Sequence, residues 1–184
     1  MDNEVTAPRK PRLATAWLGG CSGCHMSFLD LDERLLDLAT KVEWCASPLT
    51  DFKDFPEADI TLVEGAVANE EHLETILKIR QRTKILVSLG DCAVTGNVTA
   101  LRNTFGVKDV LNRAYRETSA VVNGVPGYGN RAVPKLLDRV QAVHEIVTVD
   151  YFLTGCPPSA DAIYELVTAL LEGRPAALAS QRFG

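Results

Sequence analysis

Short apolar runs alternate with amphipathic segments along this chain, and no other feature of the sequence limits the fold as strongly. Leu13 to Leu18, Val42 to Cys45, Ile60 to Val63, Lys84 to Leu89 and Ile146 to Phe152 read as strands. Between them apolar residues recur at helical spacing: Phe28, Leu29, Leu31, Leu35, Leu36 and Leu38 after Met26, then Leu73, Ile76, Leu77 and Ile79 in a segment opening at Asn69 or Glu70. Asp161 to Leu171 is a last amphipathic helix, stopped by Gly173 and Pro175. Gly96 to Glu117 reads as partly helical, and Pro134 to Val143 as a further helical turn or two.

A strand such as Ile85-Leu86-Val87-Ser88-Leu89 is apolar nearly throughout, the pattern of burial on both faces. Strands joined by helices then imply a parallel sheet with helices on both sides. The expected fold class is α/β, a flavodoxin-like doubly wound parallel sheet, in which ligands bind beyond the carboxyl ends of the strands. Residues 1–10 are polar and proline-punctuated and read as a mobile arm; residues 11–184 read as one domain, long enough to bury a real core.

Composition excludes several classes. A net charge of −5 gives no general reason to expect nucleic acid or an anionic membrane as partner. No apolar stretch approaches the roughly 20 residues of a membrane span. Arg9-Lys10-Pro11-Arg12 before Leu13 to Leu18 looks like the start of a signal peptide, but the run is short and lacks a small-residue cleavage site, so a cytoplasmic chain is expected. Five cysteines, an odd number in a chain of this size, argue against a disulfide framework.

The cysteines carry the chemistry. Cys21-Ser22-Gly23-Cys24 follows the first strand across Gly19-Gly20 and precedes the first helix, whose amides would favour thiolate or cluster charge. Cys92 follows the fourth strand in Gly90-Asp91-Cys92-Ala93, and Cys156 follows the fifth in Gly155-Cys156-Pro157-Pro158. All three loops belong to one edge of the sheet, which therefore gathers four thiols. Such a set suits zinc or an iron–sulfur cluster. A zinc ribbon would need a second C-x-x-C, whereas Cys92 and Cys156 stand singly, with 63 residues between them. Cys45 lies in or at the end of a strand without a flanking glycine and is assigned to the core.

These motifs, with Val63-Glu64-Gly65, resemble the small subunit of [NiFe] hydrogenases, related to the cluster-bearing subunit of respiratory complex I. The resemblance is nearest to the soluble, NAD-reducing bidirectional group, through Ser27-Phe28-Leu29-Asp30, Asp32-Glu33-Arg34 and Asp150-Tyr151-Phe152-Leu153. The complex I subunit has adjacent cysteines where this chain has two residues between them. The resemblance implies one [4Fe–4S] cluster on Cys21, Cys24, Cys92 and Cys156, with a Ni–Fe centre on a partner large subunit. It further implies electron transfer toward diaphorase subunits that carry FMN, iron–sulfur clusters and the NAD site. The rival readings are a zinc- or flavin-binding interaction domain of the same fold, or a hydrogenase small subunit serving another acceptor.

Glu64, on the same edge, is a candidate proton relay or large-subunit contact; the other reading is a structural, hydrogen-bonded Glu. His25, beside Cys24, is read as a packing or surface histidine because four thiols already complete a site. Thr50, Asp51 and Asn97 to Thr99 fall where a flavodoxin-like fold would hold a flavin phosphate, so FMN enters by fold analogy alone. Gly124 to Gly129 is glycine-rich but follows no strand and has no Lys-Ser/Thr, which speaks against a nucleotide loop. Trp17 and Trp44 are placed in the core or an interface.

Overall fold

A computed structural model describes residues 9–50, 54–117 and 133–177. In chain order the strands are β1 (Arg12–Trp17), β2 (Glu43–Ala46), β3 (Ala58–Glu64), β4 (Val67–Asn69), β5 (Thr83–Leu89), β6 (Leu136–Gln141) and β7 (Tyr151–Leu153). The α-helices are α1 (Gly23–Leu29), α2 (Glu33–Lys41), α3 (Glu70–Gln81), α4 (Asp91–Thr95), α5 (Val107–Tyr115) and α6 (Ala160–Glu172), with 3₁₀ helices at Asn97–Thr104 and Val143–Glu145.

Five strands form one parallel sheet in the order β2-β1-β3-β5-β7. Numbered within that sheet alone this is 2-1-3-4-5, the flavodoxin-like order, with its switch point between β1 and β3. Both faces are covered. Leu13, Ile60, Leu62, Val87, Leu89 and Leu153 pack against Phe28, Leu38 and Ile163 of α1, α2 and α6. Ala16, Val63 and Leu86 face the other way, onto Ile76 and Ile79 of α3 and Ala93 of α4. The alternation explains why consecutive residues such as Leu62-Val63 of β3 and Leu86-Val87 of β5 are both apolar and buried. Truncating a fully buried leucine such as Leu62 to alanine costs roughly 2–5 kcal/mol.

Four local expectations change. The helical run after the first cysteine pair is two helices, separated where Asp32 takes φ +50, and it starts at Gly23, so Cys24 sits in its first turn. With seven residues in α1 and five in α4, the helix-terminus contribution expected at the cysteines is small. Pro134 to Val143 is not helical; Leu136–Gln141 pairs antiparallel with β4 instead, a two-stranded ribbon beside the main sheet. Leu137 and Val140, three apart, mimic a helical spacing, yet each packs from the ribbon or is buried in it. Finally, only Tyr151–Leu153 of the apolar run Ile146 to Phe152 is strand. Ile146, Val147 and Val149 are apolar because they pack on the α3 side of the core, not because they pair. Asp150 fixes where pairing begins: its carboxylate accepts from Leu86 N–H at 2.7 Å and from Arg80 at 2.7 Å.

The mobile-arm assignment falls on residues that are, except for Arg9 and Lys10, outside the described ones. The glycine-rich Gly124 to Gly129 lies outside them entirely.

Candidate functional site: four thiols at the carboxyl edge of the sheet

Loop by loop, the backbone brings the expected cysteines together. After β1 the chain is stitched to the end of β3: Leu18 N–H donates to Glu64 O at 2.8 Å, and Gly19 and Ala66 exchange bonds of 2.9 and 2.8 Å. The close approach explains Gly65, which has φ +86 and would place a Cβ within 2.9 Å of the Leu18 carbonyl carbon. Beyond it come Cys21, exposed, and Cys24, partly buried in the first turn of α1.

Cys92 and Cys156 are held by a mutual brace. Gly90 N–H donates to Leu153 O at 2.7 Å, Asp91 N–H to Gly155 O at 2.9 Å, and Gly155 N–H to Asp91 Oδ1 at 2.7 Å. Ser27 Oγ, on α1, donates to Pro158 O at 2.5 Å and ties the first cysteine loop to the third. The Cys156–Pro157 peptide is cis. Gly90 is the tightest point. Its φ is +80, and a Cβ there would meet Cys24 Sγ at 2.2 Å.

The four thiols line one cavity of about 60 Å³ with Glu64, Asp91, Pro157 and glycines 20, 23, 65 and 155. They also feel one another. Burial first, then Glu64 and the other three thiols, push the Cys24 thiol well above the ordinary cysteine range. Cys92 is raised by burial and next by Cys156 and Cys21. Cys24 and Cys92, raised in this way beside a carboxylate, resist ionising without a compensating cation, which is the donor chemistry of a metal centre. Among the described residues, no group of three or more His, Cys, Asp or Glu side chains is placed to hold a single metal ion. A rim of thiols around a cavity fits a multi-iron cluster better than one tetrahedral zinc.

Cys45 stands apart. It is buried, packs with Ala14, Ala46 and Ala58, and its Sγ donates to Leu13 O at 3.5 Å. Its thiol is raised by burial, and none of the other four thiols contributes.

Glu64 is the last residue of β3, and its side chain is only 3% exposed. Oε2 lies 2.6 Å from the backbone N–H of His25 and 2.6 Å from His25 Nδ1. His25 is thus buried and engaged, its ring edge-on to Trp17 at 5.3 Å, and Nε2 has no hydrogen-bond partner among the described residues. Packing alone does not describe His25: its amide and ring fix the carboxylate that faces the thiols. Only its place next to Cys24 hints at this in the sequence, since Glu64 is 39 positions away.

The residues expected at a flavin phosphate have other occupations. Thr50 Oγ1 donates to Ser47 O at 2.8 Å, beside an apolar cavity of about 250 Å³ that is also lined by Trp44, Phe28 and Leu49. Asn97 Nδ2 donates to Cys156 Sγ at 3.4 Å, and Thr99 Oγ1 to Gly96 O at 2.5 Å. Asp51 lies outside the described residues. Trp44 packs edge-on against Phe28 in the core, whereas Trp17 is 40% exposed.

Residues 21–170 match the family model described as NADH ubiquinone oxidoreductase, 20 Kd subunit. The chain belongs to this family. Its similar relatives include hydrogenases. The delta subunit of the NAD-reducing hydrogenase HoxS of Cupriavidus necator is 44% identical over 95% of this chain and 86% of its own length. A subunit of the F420-non-reducing hydrogenase of Methanothermobacter marburgensis is 37% identical over 93% of this chain and 56% of its own length. A crystal structure of an NAD+-reducing [NiFe]-hydrogenase in the H2-reduced state contains a chain that superposes with TM-score 0.91 at 43% identity, covering 96% of this chain and all of that one. The chain is therefore a hydrogenase subunit of the complex I-related family. No described helix is long and apolar enough to cross a membrane.

Proposed function

We propose that this chain is the electron-transfer subunit of an NAD-reducing [NiFe] hydrogenase, with Cys21, Cys24, Cys92 and Cys156 holding one [4Fe–4S] cluster. The observation that carries the reading is the convergence of four thiols from three loops on one glycine-lined cavity. When bound, the cluster supplies one-electron transfer between the Ni–Fe centre of a large subunit and a flavin- and NAD-carrying diaphorase module.

The chain's own residues prepare that function. The Asp91–Gly155 brace sets the spacing of Cys92 and Cys156, and Ser27 locks the Cys24 helix onto the same loop. Glu64, fixed by His25, presents a carboxylate where protons released near the large subunit need a route out. Cys21 and Cys156 are exposed, and Trp17 and Met26, near the first cysteine pair, are 40% and 62% exposed. This edge is the surface we assign to the large subunit, across an apolar interface of more than about 2,000 Å². Five free thiols agree with a reducing, cytoplasmic setting.

Anaerobic purification of the tagged chain with its co-expressed large subunit tests the reading. A brown complex with iron in excess of zinc, four irons per chain beyond the one of the large subunit's Ni–Fe centre, supports it. A colourless, zinc-loaded chain that is monodisperse alone and fails to bind the large subunit overturns it.

A further inference from the structure

We infer that Asn97 is a positioning residue for the cluster: its side-chain amide donates to Cys156 Sγ and raises the cluster's reduction potential. The inference rests on the cluster reading above and adds a residue which that reading does not need.

Asn97 Nδ2 lies 3.4 Å from Cys156 Sγ, a hydrogen-bond distance for sulfur. A thiolate only accepts, so the N–H end of the amide must face it. The backbone accepts an unusual conformation to aim it there, with φ +37 directly after Gly96 at φ +82. Asparagine is among the few side chains that tolerate this region.

The donor is also held rigidly. Asn97 opens the 3₁₀ helix Asn97–Thr104, and the far end of that helix is clamped to the β4–β6 ribbon. Asn103 exchanges two bonds with the Val140 backbone, of 2.8 and 2.7 Å. Arg102 Nη2 donates to Ala68 O at 2.9 Å and Leu137 O at 2.8 Å. The ribbon, which supplies no cysteine, thereby anchors an element that sends a donor to a ligand sulfur. A donor fixed in advance needs no reorganisation when charge arrives. An added electron puts more negative charge on the sulfurs, so an N–H aimed at one of them favours the reduced cluster and lifts its potential.

The test is EPR-monitored redox titration of the hydrogenase complex, comparing wild type with Asn97→Gly and Asn97→Asp. Both replacements suit a positive φ; the first removes the donor without adding charge, the second puts a carboxylate in its place. Loss of one net hydrogen bond predicts about a fivefold fall in the reduced-to-oxidised ratio at a fixed potential, about 41 mV at 59 mV per decade. Asn97→Asp should fall further. A second measurement needs no variant: with only this chain carrying 15N-asparagine, pulsed EPR of the reduced wild-type cluster should show a coupled 15N. Unchanged midpoints in iron-replete variants, or no 15N coupling in the wild type, overturn the assignment of Asn97. A wild-type complex without an iron–sulfur signal overturns the cluster reading itself, and is told apart because it appears before any variant is made.

Discussion

Replacing Gly90 by alanine should empty the site, and Gly173 provides the matched control. A Cβ at Gly90 would stand 2.2 Å from Cys24 Sγ, whereas ordinary contact begins near 3.4 Å, so the sulfur or the loop must move by about 1.2 Å. Metal-ligand distances tolerate only about ±0.2 Å, so a thiol displaced this far no longer ligates. The positive φ adds roughly 1–2 kcal/mol of backbone cost. Gly173 has φ +64, but a Cβ there would meet nothing within 4 Å, so Gly173→Ala carries the backbone cost alone. The assay is iron per complex, with the EPR signal of the reduced sample, for both variants. Gly90→Ala should lose most of its iron, and Gly173→Ala should keep all of it with a slightly lower melting temperature. A full complement of iron in Gly90→Ala, or equal losses in both, would refute the argument that the close approach to Cys24 is what makes glycine obligatory.

Glu64→Gln keeps an acceptor oxygen for the two His25 bonds but cannot ionise, so hydrogen turnover should fall by on the order of a hundredfold while stability changes by at most about 2 kcal/mol. Unchanged turnover returns Glu64 to a purely structural role. His72, partly buried with Nδ1 accepting from Ala68 N–H at 3.3 Å, has its pKa held below the ordinary 6.5 by burial. The unfolded chain therefore takes up the proton first as pH falls. The stabilisation from a neutral His72 is complete above about pH 6.5 and declines below it toward the folded pKa. Hydrogen exchange of the α3 amides, corrected for intrinsic rates, should show less protection at about pH 5.5 than at 7.5, and His72→Gln should flatten that difference. An equal pH dependence in both proteins would remove His72 from the account.

Much of the site was legible because its parts repeat one local pattern. An apolar strand, a glycine and a cysteine recur at the ends of β1, β5 and β7, and the edge rule for parallel sheets does the rest. Cys45 was separable for the same reason, since it lies within β2 without a glycine. What escaped detection were pairings between distant residues. The β4–β6 ribbon involves a strand of three residues and one preceded by Pro134, too short and too polar to announce themselves. The break at Asp30 to Asp32 leaves the helical spacing of leucines almost undisturbed, because Leu31 stays buried through it. His25 with Glu64, and Asn97 with Cys156, are partners 39 and 59 positions apart. No periodicity encodes such contacts; they exist only once the sheet has aligned its loops.

The central claim is that Cys21, Cys24, Cys92 and Cys156, and not Cys45, hold a single [4Fe–4S] cluster. Iron analysis with low-temperature EPR of the reduced complex, run on the five single Cys→Ala variants side by side, tests it most directly. Each of the first four should lose iron, the EPR signal and, because the cluster ties three remote loops together, part of the subunit assembly. Cys45→Ala should keep the cluster and cost at most about 1 kcal/mol of packing. A cluster lost in Cys45→Ala, or retained intact in any of the other four, would contradict the account.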